Sequence, residues 1–467
     1  SFETHFPDVA SRGGFDLVLG NPPWVRLHRI PPLARAALRQ RYAVFRHAAW
    51  ENGVSGARSG HGFAAQVDLS AFFVERSLCL LREGGTLGLL LPAKLWRSLA
   101  GGGVRRFVRE HAQVLALDDW SESPAAFDAA VYPMVLVAER GAPRREQASR
   151  ATPARPVAAA LHRSSTSLRW TIPAERLALD TDPASPWIVA PSPVRDAFDR
   201  LRAAGIPLAS THLGRPLLGV KCGCNDAFAV RVNGSDRAEV ASVAREGRSG
   251  AIERSLLRPL LRGEAVRRWS AEPTTERLLW THTGSGSPVP LDRLPPGAAH
   301  WLAPWRRRLQ ARTDGARGQR WWSLFRTAAA ASEHPRVVWA DFGRAPRALI
   351  LPAGDPTVPI NSCYVVPCLT SEDAFALAAV LNSPLSAAWL SLIAEPARGG
   401  YRRYLAWTMA LLPLPRDWEL ARHLLSPLAR QATEGAVPSD GELLAATIKA
   451  YRLRPVDVSA LLGWCAR

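Results

Sequence analysis

The short run Phe15-Asp16-Leu17-Val18-Leu19-Gly20 leads straight into Asn21-Pro22-Pro23-Trp24. Proline fixes its own φ and has no N–H to donate, so neither a helix nor a central strand continues through two in a row. The chain must break here. What remains is a short apolar strand with a rigid turn at its carboxyl end, where Asn favours the turn. A Trp in such a turn can simply plug a core. In α/β sheets, however, ligands gather outside the carboxyl ends of the strands, and this is the position the turn occupies.

The segments that follow supply an α/β context. Asp68 to Leu81 has helical periodicity, with Ala71, Phe72, Val74, Leu78 and Leu81 on one side, and Glu83-Gly84-Gly85 ends it. Thr86 to Leu91 predicts a second strand, stopped by Pro92; Gly103 to His111 predicts a helix; Val114 to Leu117 and Val131 to Ala138 predict two more strands. Alternation of helices with apolar strands implies an α/β sheet covered on both faces. Because the motif arrives within the first twenty-five residues and Ser1 opens the chain, only the later strands of that sheet are expected here. Residues 141–191, rich in Arg, Ala, Pro and Ser, read as a connector with some strand content. Residues 192–416 change texture to short strands, many turns and scattered Trp and Arg, which predicts a separate α+β domain. Residues 417–467 read as a helical tail, and residues 1–140 form the first domain.

A chain of 467 residues with 47% hydrophobic and 21% charged residues can bury more than one core. Its formal net charge of +18 favours a polyanionic partner. Lysine occurs only at Lys94, Lys221 and Lys449, so a GC-rich composition accounts for part of the arginine preference. It accounts less well for the shortage of acids. No secretory signal opens the chain, and the six cysteines are too sparse for a disulfide scaffold, which predicts a cytoplasmic protein. Cys222-Gly223-Cys224 lacks the usual zinc spacing, so no metal is expected. The uncharged stretch from Ala374 to Ala394 is interrupted by Asn382-Ser383-Pro384. It therefore predicts two short buried helices in place of a membrane span.

Asn21 to Trp24 suit one chemistry in particular. The exocyclic amine of adenine is a weak nucleophile because its lone pair is delocalised into the ring. Two acceptors aimed at its two N–H bonds favour a tetrahedral nitrogen with a localised lone pair. An Asn side-chain oxygen and a proline-fixed backbone carbonyl can be those acceptors. An adjacent aromatic offers a flat face to a base rotated out of the duplex, worth roughly 1–3 kcal/mol per base.

On these residues the sequence resembles the amino-group DNA methyltransferases, and among them the large fused restriction–modification adenine methyltransferases. The resemblance begins at His5-Phe6-Pro7-Asp8-Val9 and Gly13-Gly14 and runs through Phe15 to Trp24. It continues in Asp68 to Phe73, Gly84 to Pro92, and Ala126-Phe127 with Val131 to Val137. It implies a Rossmann-like methyltransferase sheet followed by an α+β target-recognition domain. It also implies S-adenosylmethionine as methyl donor and double-stranded DNA as substrate. Asn21 and the Pro22 carbonyl, held by Pro23, would grip the amine; Trp24 would stack on the flipped adenine and Phe127 would contact its other side. Trp at the last motif position departs from the commoner Tyr or Phe. It keeps the stacking face and loses a hydroxyl. Phe127 serves equally well as a core residue. The family's Gly-rich donor-binding loop and acidic ribose-binding residue precede the target-base motif, and neither is found here. The resemblance thus implies an upstream part of the same protein, without which this chain would be inactive.

Later blocks extend the resemblance to the specificity domain of the same enzymes: Gly214 to Val230, Leu256 to Trp269, Val380 to Ser383, Gly399 to Tyr404 and Leu412 to Pro415. Between them, Arg306, Arg307, Arg308, Arg312, Arg317, Arg320 and Arg326 lie among Trp301, Trp305, Trp321 and Trp322. Arginines of this kind make phosphate contacts and bidentate guanine contacts. Any one of them can equally be a solvated charge, and most of the tryptophans are expected in the core. No lysine follows an acid by two positions, so the common metal-dependent nuclease core is not expected. Two other readings stand beside adenine methylation. One is a non-catalytic DNA-binding specificity module. The other, an RNA or protein amino-group methyltransferase, fits the large downstream domain poorly.

Overall fold

The computed structural model describes residues 2–26, 29–46, 49–50, 67–123, 132–141, 155–163, 166–233, 239–284, 286–312, 320–397 and 400–466. They fall into two compact units. The first comprises residues 1–203, 388–403 and 456–467; the second comprises residues 204–387 and 404–455.

The first unit is built on a six-stranded mixed sheet. Its strands are β1 (Phe15–Gly20), β2 (Leu81–Pro92), β3 (Ala112–Glu122), β4 (Pro133–Arg140), β5 (Val157–Arg163) and β6 (Ser167–Ile172), in the order β1-β2-β4-β3-β5-β6. β1 and β2 are parallel, and β4 is inserted antiparallel to both β2 and β3. β1, β2 and β3 therefore point the same way, and Asn21, Ala93 and Ser123 all leave the sheet at one end. Within residues 141–191, read from sequence as a connector with some strand content, β5 and β6 continue the sheet.

Two helices cover one face. They are α1 (Ser70–Leu80) and α2 (Gly102–His111). On β2, Leu87, Leu89 and Leu91 are buried with Val74 and Leu78 of α1 and Val104 and Val108 of α2. The intervening Thr86, Gly88 and Leu90 are only half-buried. The alternation marks a sheet packed mainly on one side. This corrects the expectation of strands covered on both faces, most of all at β1. Leu17 and Leu19 are 53% and 71% exposed, because β1 is an edge strand and no described residue covers its outer side. Glu83-Gly84-Gly85, expected to end the preceding helix, lies inside β2. The register steps from Phe15 opposite Leu81 to Leu17 opposite Thr86, so the glycines form a bulge. Gly14 must be glycine: its φ is +135°, and a Cβ there would sit 2.6 Å from the backbone of Leu80 to Arg82.

Arg105 of α2 is fully buried. Its guanidinium donates to the carbonyls of Leu95 at 2.7 Å, Ser98 at 2.8 Å and Ala184 at 2.7 and 3.0 Å. Burial pulls its pKa down to about 9, against the opposing charges of Asp182 and Glu395. Beside it, Trp96 stacks on Trp187 with centroids 4.5 Å apart.

The second unit contains an antiparallel meander with one parallel partner. Its strands are β7 (Ala229–Asn233), β8 (Val240–Arg245), β9 (Arg248–Glu253), β10 (Leu257–Leu261) and β11 (Glu276–Leu279), ordered β9-β8-β7-β11-β10, with Val358–Pro359 beside β10. A second sheet aligns Ala348–Leu351, Arg336–Ala340, Cys363–Pro367 and Leu217–Leu218. Helix Ser371–Asn382 is capped by the Thr370 hydroxyl on Asp373 N, Trp418–Thr433 by Asp417, and Asp440–Ala450 by Ser439. The uncharged stretch divides at Ser383 into helices Ser371–Asn382 and Pro384–Ile393, as its Asn-Ser-Pro break predicts. Among the described residues no single helix is long and apolar enough to cross a membrane.

Candidate nucleic-acid site

The turn after β1 has the geometry that its prolines demand. Asn21 and Pro23 are exposed, Pro22 is buried, and Trp24 is half-buried. The indole N–H of Trp24 donates to the Leu90 carbonyl at 3.4 Å, which tethers the ring to β2. The ring is thus neither sealed in the core nor loose. The amide of Asn21 stands at the open end of the sheet a few residues away. Phe127 lies outside the described residues.

The chain leaving Trp24 is held by the start of the segment that its periodicity marks as a helix, to which sequence reading gave no role at the site. Val25 O accepts from Leu69 N at 2.7 Å, and Arg26 forms an antiparallel bridge with Asp68. Asp68 is 2% exposed. One of its oxygens accepts from the backbone N–H and the hydroxyl of Ser70, at 3.1 and 2.9 Å. The other accepts from Lys94 Nζ at 3.0 Å. Lys94 opens the short helix Lys94–Arg97 that follows β2. An acid followed by a hydroxyl at the start of a helix was the available signal in the sequence.

At the end of β3, Arg97 and Asp119 form a buried ion pair at 3.0 Å. Glu122 accepts from Arg163 at 2.7 Å and Arg402 at 2.8 Å. Burial alone would raise the Glu122 pKa, but these guanidiniums hold it below the usual carboxylate range. The cavity among Arg97, Asp119, Glu122 and Arg402 measures about 10 Å³, which is room for one water and no nucleobase.

The second unit sorts the clustered arginines into two kinds. Arg312 is buried, and its guanidinium donates to the carbonyls of Cys222, Leu309, Trp321 and Ser323. It therefore staples the loop to the carbonyls around it. Arg306, Arg307, Arg308 and Arg320 are exposed. Arg248 and Arg308 lie over Trp305 at 5.9 and 5.7 Å, Arg306 over Trp321 at 5.7 Å, and Arg320 over Trp322 at 5.8 Å. Trp301 and Trp322 are core residues whose indole N–H groups donate to Ala227 O and Val289 O. Arg317 lies outside the described residues. Cys222 and Cys224 are buried core residues, and burial pushes the Cys222 thiol up to about 12.

Residues 1–127, which carry the Asn21–Trp24 turn, match the Eco57I restriction-modification methylase family. The chain is similar to type II restriction-modification methylases. It is 27% identical over 97% of its length to the Type II methyltransferase M.PaeR7I of Pseudomonas aeruginosa, covering 73% of that protein. With the Type II methyltransferase M.XhoI of Xanthomonas vasicola it shares 24% identity over 95% of its length, covering 76% of that protein. The Type IIL restriction-modification enzyme MmeI, solved in complex with DNA, has a similar fold. Its TM-score is 0.58 at 11% identity, covering 98% of this chain. The chain spans 57% of that enzyme's length. Similarity to these methylases thus extends through both compact units.

Proposed function

We propose that the chain carries the target-base half and the recognition domain of a site-specific DNA methyltransferase. This enzyme acts on N6 of an adenine rotated out of duplex DNA, within a restriction–modification or phage-defence system in the cytoplasm. The observation that carries the reading is the turn after β1: an exposed amide at Asn21, a proline-fixed backbone at Pro22 and Pro23, and an accessible indole tethered at Leu90 O. In this reading the Asn21 side-chain oxygen and the Pro22 carbonyl accept the two N–H bonds of the amine. The indole of Trp24 covers one face of the base, and Phe127 approaches the other. No strong general base is needed, since the proton can leave after transfer.

S-adenosylmethionine supplies an electrophilic methyl group on a sulfonium. The described residues offer no Gly-rich turn to hold it. The open side of β1, with Leu17 and Leu19 exposed, is where further strands of a Rossmann-like sheet carrying that turn would pair. The recognition role falls to the second unit, whose exposed Arg306, Arg307, Arg308 and Arg320 face outward beside Trp305 and Trp321.

The test is transfer of labelled methyl from S-adenosylmethionine to duplex DNA by the protein together with its upstream part, with the product base identified. N6-methyladenine that disappears in Asn21→Ala, with DNA binding kept, supports the reading. Sequence-specific DNA binding with no transfer under any condition would instead establish a non-catalytic specificity module.

A further inference from the structure

Beside the turn lies a group of cations that neither the amine-holding chemistry nor the recognition unit uses. Arg26 is exposed two residues after Trp24 and is bridged through its backbone to Asp68. Lys94 is held at 3.0 Å by the buried carboxylate of Asp68. A hairpin formed by Glu395–Ala397 and Tyr401–Arg403 brings a third cation. Arg403 is exposed and sits directly across the ladder from Glu395, so their side chains share one face. Glu395–Ala397 packs against the short helix Lys94–Arg97, which places the hairpin beside the same patch. Burial raises the Glu395 carboxyl above its ordinary range, against the charges of Arg403, Lys94, Arg105 and Arg26.

Building on the methyltransferase reading, we propose that Arg26, Lys94 and Arg403 clamp the backbone phosphates flanking the extruded nucleotide, with Asp68 and Glu395 as positioning residues. A base that leaves the stack needs its sugar–phosphate backbone held in the displaced course. Contacts to phosphate do this without reading sequence. Two of the cations are exposed and the third is partly so. Lys94 is one of only three lysines among 59 basic residues. Its compact ammonium is held by the Asp68 carboxylate and keeps rotatable donors for a phosphate. Asp68 is linked to the cradle through Arg26 and Leu69, so moving it would displace the clamp and the Trp24 turn together.

The experiment measures affinity of the 467-residue chain for a duplex oligonucleotide as a function of salt, for the wild type and for Arg26→Gln, Lys94→Gln and Arg403→Gln. Each neutral variant is expected to bind 3- to 10-fold more weakly at low salt. Each should also lower the slope of log K against log salt by about one contact, roughly 0.9, on cognate and unrelated sequences alike. Arg26→Lys and Arg403→Lys should restore the slope. Arg26 and Arg403 are exposed, so their replacement leaves the fold intact, as matching unfolding curves will show. Wild-type binding with unchanged slopes in Arg26→Gln and Arg403→Gln overturns the clamp and leaves the methyltransferase reading standing. Absence of salt-dependent DNA binding by the wild type overturns both. Asp68→Asn should raise KM for DNA more than it lowers kcat in the protein with its upstream part; a pure loss of folded protein, with KM unchanged, would remove its positioning role.

Discussion

The indole N–H of Trp24 donates to the backbone carbonyl of Leu90, 66 positions along the chain, at 3.4 Å. β1 and β2 are parallel neighbours, so this bond joins the turn after one strand to the last residues of the next. It sets the plane in which the ring is presented while leaving part of its surface accessible. Trp24→Phe should keep a stacking face and lose the tether, lowering turnover several-fold. Trp24→Ala should lose roughly 1–3 kcal/mol of base capture, a factor of about 5 to 150 in kcat/KM. Unchanged kinetics in Trp24→Ala would remove the ring from the site.

Asn21 offers an exposed amide. Asn21→Ala removes one of two acceptors for the amine and should abolish methyl transfer. DNA affinity should change less than 2-fold, since the residue makes no phosphate contact in this reading. Single-turnover transfer and fluorescence anisotropy, run on the same preparation, separate the two effects. An active Asn21→Ala enzyme sinks the assignment.

Arg105 is a prediction about stability. Its buried guanidinium satisfies the carbonyls of Leu95, Ser98 and Ala184. Arg105→Met fills similar volume but orphans those acceptors, which should cost on the order of 2–4 kcal/mol. Denaturant titration should show a lower midpoint, and an unaltered midpoint would mean that water replaces the guanidinium.

His282 gives the second unit a pH dependence. Burial, aided by the charge of Arg258, lowers its pKa from 6.5 to about 4. The unfolded chain therefore binds a proton between these values while the folded one does not. Stability is fully present above about 6.5 and declines as pH falls towards 4, by on the order of 1–2 kcal/mol. His282→Gln should flatten this part of the stability–pH curve. An equally steep decline in the variant would place its cause in another group.

The break after Gly20 was legible because two prolines leave the backbone no alternative, and β1 spans Phe15–Gly20 as expected. The helix around Val74 and Leu78 and the strand ending at Pro92 were legible through their periodicity. Exposure of Leu17 and Leu19 was not, because an apolar side chain does not reveal whether anything covers it. Some strand content was legible around β5 and β6, but not their place in the sheet, because small and basic residues such as Ala158, Ala159, Ala160 and Arg169 lack the β-branched signature and sheet neighbours supply the order that propensity does not. The roles of Arg312 and Asp68 depend on partners distant in sequence or on a backbone bridge, neither of which a linear motif records.

The open flank of β1 carries one more implication. Among the described residues β1 ends its sheet beside β2, with Leu17 and Leu19 exposed, and such an edge is adhesive towards any extended peptide. Handled alone and concentrated, this polypeptide should stick to itself along that seam, and additives that cap hydrogen-bonding edges, or a charge introduced at Leu19, should keep it dispersed.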